Sequence, residues 1–449
     1  MKHIFKYSLL TVVCTLAAAG TACSDDDTDA KKDQGATPVI KYARPCDINV
    51  SDSLLTAAPL GAQVAFVGDN LGDVQQVWFN DKKAALSPNL VTSHTIIVNI
   101  PNALPGEVTG NARFVTSTGI EVLYPFTVTV PAPRVEKMSC EYAKAGDVVT
   151  IDGAYFADDP NVPLTVTIGG LPAEIKTIAE DQLEVVIPDG AQEGEIAVES
   201  IYGKGVAKFH YMDTRNILFD FEGEAGLTGL GTGQSWHARP IQNDEHSLSG
   251  GYMVIGNGEK TMSANGDWDD GNFSFEYWAG AWTDPVTYPA RVGERLYDIA
   301  DFTDFDKKAV KFELYVPEGN SWQAGALQII FAPTSLVSFG NPGLDEFGNT
   351  VAGCNNNYIK DSSEGGPDLA RYLWTPWSAT EAYNTGGKWI TVSFPIKDFL
   401  YKHDGTGAAR MLTDVTDFAN MQIFIWAGGV EGVECTPVLY IDNIRIAEI

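Results

Sequence analysis

The chain has 449 residues, 59 acidic against 30 basic, and a formal net charge of −29. That length suggests three domains rather than one, and so acidic a balance excludes nucleic acid and anionic lipid headgroups as partners held by charge. Past residue 23 the cysteines are Cys46, Cys140, Cys354 and Cys435, too sparse for a disulfide scaffold and wrongly spaced for zinc.

The chain opens with Lys2 and Lys6 ahead of an apolar run over residues 9–20, followed by small residues and then Cys23. A bilayer-crossing helix needs about 20 apolar residues, so this shorter run predicts a signal peptide over residues 1–22. A cysteine directly after the small residues predicts lipid attachment at Cys23. Residues 23–37 begin Cys23-Ser24-Asp25-Asp26-Asp27 and read as an acidic, solvated tether spanning about 20 Å as a flexible coil. This start resembles the lipoprotein export signal of Bacteroidetes. The resemblance implies a lipid-anchored protein displayed on the outer face of the outer membrane.

Two segments then repeat. Gly61 and Gly68 bracket an apolar run ending near Leu71, as Gly146 and Gly153 bracket one ending near Phe156. Val77-Trp78-Phe79 matches Val166-Thr167-Ile168, and Ile96 to Pro101 matches Leu183 to Pro188. Short β-branched runs punctuated by Gly, Pro, Asn and Asp predict a β-sandwich for each copy. The phrasing resembles the IPT/TIG family of immunoglobulin-like domains, over 38–131 and 132–211. It is looser in the first copy, which has Asn80-Asp81 where the second has Gly169-Gly170. Cys46 and Cys140 sit at equivalent places and read as buried small apolar residues. Trp78, in an alternating strand, reads as core.

Residues 212–449 hold nine of the ten tryptophans. Strands are predicted at 309–316, 326–331, 389–395 and 421–426, and apolar runs at both ends of the segment predict a larger β-sandwich whose termini lie side by side. The expected fold is all-β throughout. The long connections 229–272, 279–298 and 334–387 are the places for function on such a scaffold. Trp236, Trp268, Tyr277, Trp278, Trp282, Trp322, Trp374 and Trp377 lie in or near them, several in Gly- and Asp-rich company. Exposed aromatic rings suit the weakly positive C–H faces of a pyranose, so these eight are the candidate glycan platforms. Trp389 and Trp426 sit in or beside apolar strands and read as core.

A lipoprotein signal, tandem IPT-like domains and a tryptophan-rich terminal sandwich together resemble the SGBP-B-type surface glycan-binding lipoproteins of Bacteroidetes polysaccharide utilisation loci. The C-terminal half is similar to their xyloglucan-binding domain. The resemblance implies non-catalytic capture of a β-glucan, such as xyloglucan or mixed-linkage glucan, beside a SusC/SusD-like outer-membrane transporter. No short motif carries the family's contacts onto particular positions.

The main rival is a glycoside hydrolase, which would need two carboxylates about 5 to 9 Å apart. Glu276, Glu294 and Asp368 are available, but no pair stands out. An adhesin binding protein is the second rival, since the same aromatics could serve as hot spots. A structural calcium could sit between Asp220 or Glu222 and Asp442, and Cys354 could pair with Cys435. The run Asp267-Trp268-Asp269-Asp270-Gly271 is no EF-hand, whose twelfth position needs Glu and here is Trp278. No cofactor and no metal is expected.

Overall fold

In the computed structural model, which describes residues 29–50, 53–229, 239–277, 279, 293–333, 343–344, 350–351, 369–408 and 410–449, the protein is almost wholly β. Cys23, Trp236, Trp278, Trp282, Cys354 and Asp368 lie outside the described residues. Two compact units divide at Thr129 and Val130.

The first unit pairs Val39–Pro45, Gln63–Asp69 and Thr95–Asn99 in one sheet, and Lys82–Lys83, Val74–Phe79, Asn111–Thr116 and Glu121–Pro125 in another. Phe66 sits against the rings of Phe79, Phe114 and Phe126 at centroid distances of 4.9–5.9 Å, fully buried. Trp78 is not part of this core. Val77 and Phe79 point inward, so the period of two turns Trp78 outward, where the Arg113 guanidinium lies 4.8 Å from its ring. Cys46 is only half-buried, while Cys140 is enclosed and its thiol is pushed up by burial.

The second unit begins with a seven-stranded domain from Arg134–Met138 to Gly203–Tyr211, every neighbour antiparallel. The repeat seen in sequence has one cause in both copies. A Cβ on Gly68 would strike the carbonyl of Val39, and a Cβ on Gly153 that of Arg134. In each copy the first strand bulges beside that glycine, at Ile40/Tyr42 and at Val135/Lys137, bringing its backbone too close for any side chain.

Residues from Ile217 onward form a sandwich of two antiparallel sheets. The first holds Ile241–Gln242, Tyr252–Ile255, Leu439–Glu448, Lys308–Tyr315 and Ile390–Pro395, with Ile217–Phe219 also paired to Leu439–Glu448. The terminal strands of the segment therefore do lie side by side. The second sheet has the order Ser274–Tyr277, Asn420–Trp426, Ala326–Ala332, Arg371–Trp374. Between the sheets lies one apolar core including Phe219, Phe275, Phe312, Ile329, Ile423 and Ile441.

The terminal sandwich is tied to the preceding domain by buried charge. Glu141 of that domain takes Lys311 Nζ at 2.6 Å and Arg445 at 2.6 Å. Arg445 in turn holds Glu313 at 2.8 Å, and all four side chains are at most 5% exposed. Two acids and two bases make the cluster neutral. The Thr391 hydroxyl donates to Glu313 and accepts from the backbone N–H of Glu141, and the Thr391 amide donates to the Ser139 carbonyl at 2.8 Å.

Candidate glycan-binding face

The second sheet has two unlike faces, because its strands alternate. Met421, Ile423 and Ile425 face the core, with Leu327, Ile329 and Phe331 beside them. The outward set is Gln422, Phe424 and Trp426, with Gln328 and Ile330 on the next strand. Register lines up Glu276, Gln422, Ile330 and Arg371 in a row across all four strands. Side chains in register on neighbouring strands point the same way by construction, so three polar groups and Ile330 share this face.

Its members are not equally satisfied. The Arg371 guanidinium donates to Gln328 Oε1 at 2.9 Å, and Gln328 Nε2 donates to the Trp426 carbonyl at 2.6 Å. Asn420 is likewise spent, donating to the Ala332 carbonyl and accepting from the Ala279 amide. Gln422 is different. It is 0% exposed, yet neither its Oε1 nor its Nε2 has a hydrogen-bond partner. An amide left this way costs about 1–3 kcal/mol, a cost that a water or a ligand group reaching it would recover. It offers one donor and one acceptor side by side, the pairing that two adjacent sugar hydroxyls complement.

An aromatic wall flanks the row. Trp268 lies 4.8 Å from Phe424 and meets Trp426 edge-on at 4.9 Å; His403 stacks flat on Trp426 at 4.5 Å and 10°. Both tryptophans are half-buried and pack beside Ile330, Ala332 and Leu369. The acidic run around Trp268 has a structural reason. Asp269 caps the short helix Asp270–Phe273, accepts from the Asn272 amide, and pairs with Lys260 at 3.2 Å.

The sequence nominees divide sharply. Trp268 lies on this face. Trp322, Trp377 and Tyr277 do not, and the platform expectation for them is corrected. Trp322 is 0% exposed and donates its indole N–H to the carbonyls of Ala324 and Gly325; Trp377 donates to Gly325; the Tyr277 hydroxyl donates to the Glu294 carbonyl at 2.6 Å. A ring with no open face cannot stack on a sugar. Trp374 is half-buried but turned to the core side, against Trp322, Tyr383 and Phe394. Trp236, Trp278 and Trp282 lie outside the described residues. Trp426, read as core, is half-buried on the outer face. Sequence reasoning missed it together with Gln422, Gln328, Arg371 and His403. Its place one residue beyond Ile425, in a strict inward–outward alternation, was the available signal.

The terminal carboxylates are engaged within the chain. Asp220 accepts four backbone N–H bonds, from Gly223, Glu224, Ala225 and Gly226, at 2.6–3.0 Å, and these hold its carboxyl below the usual range. Asp442 accepts from the Ser249 hydroxyl and the Asn443 amide, and burial pushes its pKa up to about 8.

Residues 211–448 match the family described as the surface glycan-binding protein B xyloglucan binding domain, and residues 133–213 match the IPT/TIG domain. The first match alone covers more than half of the chain. This chain belongs to the surface glycan-binding protein B family. A crystal structure of the surface glycan-binding protein PbSGBP-B from Prevotella bryantii is 40% identical, covers 92% of this chain and 99% of its own, and superposes with a TM-score of 0.82. An IPT/TIG domain-containing protein of Bacteroides ovatus is 30% identical over 232 residues, 46% of each chain. The match thus spans about half the length of that curated relative.

Proposed function

We propose that the protein captures a neutral β-glucan, xyloglucan or mixed-linkage glucan, on the outer face of its second C-terminal sheet, without cleaving it. The observation that carries this reading is the match of residues 211–448 to the xyloglucan-binding domain family together with the half-buried rings of Trp268 and Trp426 on that sheet face. Pyranose faces would lie on these indoles, above Gln422 and the Arg371–Gln328 pair, which are at most 1% exposed. Water competes for each hydroxyl, so each bond adds about 1 kcal/mol and stacking supplies the rest.

Capture rather than hydrolysis is supported by the family, whose model describes a glycan-binding domain. Lipid attachment at Cys23 would hold this face at the cell surface, beside a SusC/SusD-like transporter that takes the captured chain inward.

Affinity gel electrophoresis against a panel of soluble polysaccharides tests the reading, alongside an assay for new reducing ends. Retardation by a β-glucan with no new reducing ends is expected; retardation by none of the panel sinks it. Within the same experiment, Trp426→Ala should cost about 2 kcal/mol of affinity. Trp322→Ala should instead cost about 3–5 kcal/mol of stability.

A further inference from the structure

A second cleft opens where the terminal sandwich meets the domain before it. It has a volume of about 670 Å³ and is lined from one side by residues of 139–150 and Glu184, and from the other by residues of 245–248, 315 and 385–390. Nothing in the glycan-binding face described above contributes to it. That volume lies within the range of small-molecule sites, about 300–1,000 Å³.

Its C-terminal wall is aromatic and fixed. Trp389 donates its indole N–H to the His246 carbonyl at 2.7 Å, packs 5.7 Å from Tyr315, and is half-buried. Tyr315 is backed by Tyr440, stacked at 5.4 Å and 10°. Trp389 packs against the apolar clusters of both domains, in keeping with the core expectation, while its remaining surface lines the cleft and its hydrogen bond sets its plane. The opposite wall is the start of the Val148–Ala154 strand, which lies between Arg134–Met138 and Gln182–Val186 in its sheet and leaves Val148 49% exposed.

The polar rim carries both signs, Lys144 and Lys388 against Asp147, Glu184 and Glu245, and Lys144 donates to the Ser247 carbonyl. A rim of mixed sign with an acidic excess disfavours an anion and gives a neutral ligand both donors and acceptors. Fixed indole and phenol faces under such a rim suit a ligand with apolar faces and hydroxyl edges. The two walls do not need to be brought together on binding, since the Glu141–Lys311–Arg445–Glu313 cluster and the Thr391–Ser139 bond already join them. Preorganisation of this kind removes an ordering cost from association.

We propose that this cleft is a second oligosaccharide-binding site, taking a short segment of neutral glycan against Trp389 and Tyr315. The proposal rests on the reading of the protein as a glycan binder, but on different residues. Calorimetric titration of the full chain with a xyloglucan-derived oligosaccharide tests it. Two phases are expected, the weaker one assigned to the cleft. Trp426→Ala should weaken the stronger phase and leave the weaker. Val148→Trp, which fills the cleft from an exposed strand position, should abolish the weaker phase and leave the stronger unchanged. Val148→Ala, which widens the cleft, should keep both, separating blockage from distortion. If the wild-type chain binds in one phase that Val148→Trp does not alter, the cleft takes no sugar, although the outer face does. If the wild-type chain binds no oligosaccharide, both readings fall.

Discussion

At the scale of single residues, Gln422 separates folding from binding. Its amide is fully enclosed and makes no hydrogen bond within the protein, so in the unliganded state it only costs free energy, about 1–3 kcal/mol. A ligand that pairs both atoms recovers that cost on binding. Gln422→Leu keeps the volume and removes both polar atoms. The expected result is a thermal midpoint equal to or above that of the wild type, together with at least a tenfold loss of affinity for the retarding β-glucan. Arg371 should behave in the opposite way, because its guanidinium holds Gln328 Oε1, and removing it leaves that oxygen buried without its donor. A lower midpoint for Gln422→Leu, with affinity unchanged, would show that the amide has a structural partner and no ligand.

At the scale of elements, strand alternation made much of the second sheet legible and also misled. The strands at 326–331 and 421–426 were readable from apolar runs, and the observed Ala326–Ala332 and Asn420–Trp426 lie within a residue of them. The face of each residue was less readable. Trp322 sits in a polar loop yet is buried, since the carbonyls of Ala324 and Gly325 satisfy its indole. Trp426 ends an apolar strand yet faces outward. Local composition reports neither the partner of an indole N–H nor the register of one strand against the next. Bulges are similarly silent in sequence. The last strand breaks register opposite Lys311/Glu313, and Asn443 there adopts φ 52°. That bulge seats Asp442 in the interior, where burial, with Glu313 and Glu222 nearby, raises its pKa to about 8. A folded-state pKa above the unfolded value means the native protein binds the extra proton. Its stability is therefore highest below the unfolded carboxylate pKa and falls as pH rises towards 8. Asp442→Asn should gain on the wild type by up to about 1.4 kcal/mol per pH unit between pH 5 and 8. Denaturation midpoints that run parallel for the two proteins across that window would contradict it.

At the scale of the whole molecule, the junction behind the terminal sandwich decides whether two domains unfold as one. Three of its four buried charges, Lys311, Glu313 and Arg445, belong to the sandwich, and Glu141 alone comes from the domain before it. Without Glu141 the sandwich holds a net buried positive charge, so its folded surface is complementary to that domain and to little else. Replacing a buried pair by apolar groups is often neutral, whereas removing one partner costs about 3–5 kcal/mol. Glu141→Gln should therefore lower the unfolding midpoint and split the calorimetric transition of residues 130–449 into two. Adding Lys311→Met to that variant removes the orphaned cation while leaving Arg445 paired with Glu313. The double variant should be more stable than Glu141→Gln alone, a non-additivity of the kind that contacting residues show. Additive losses would mean that the two side chains act independently and that the Thr391 contacts, not charge, carry the junction. The cleft behind Trp389 shares these walls, so the same calorimetry on the single variant predicts where its weaker glycan phase is lost: together with the first of the two transitions.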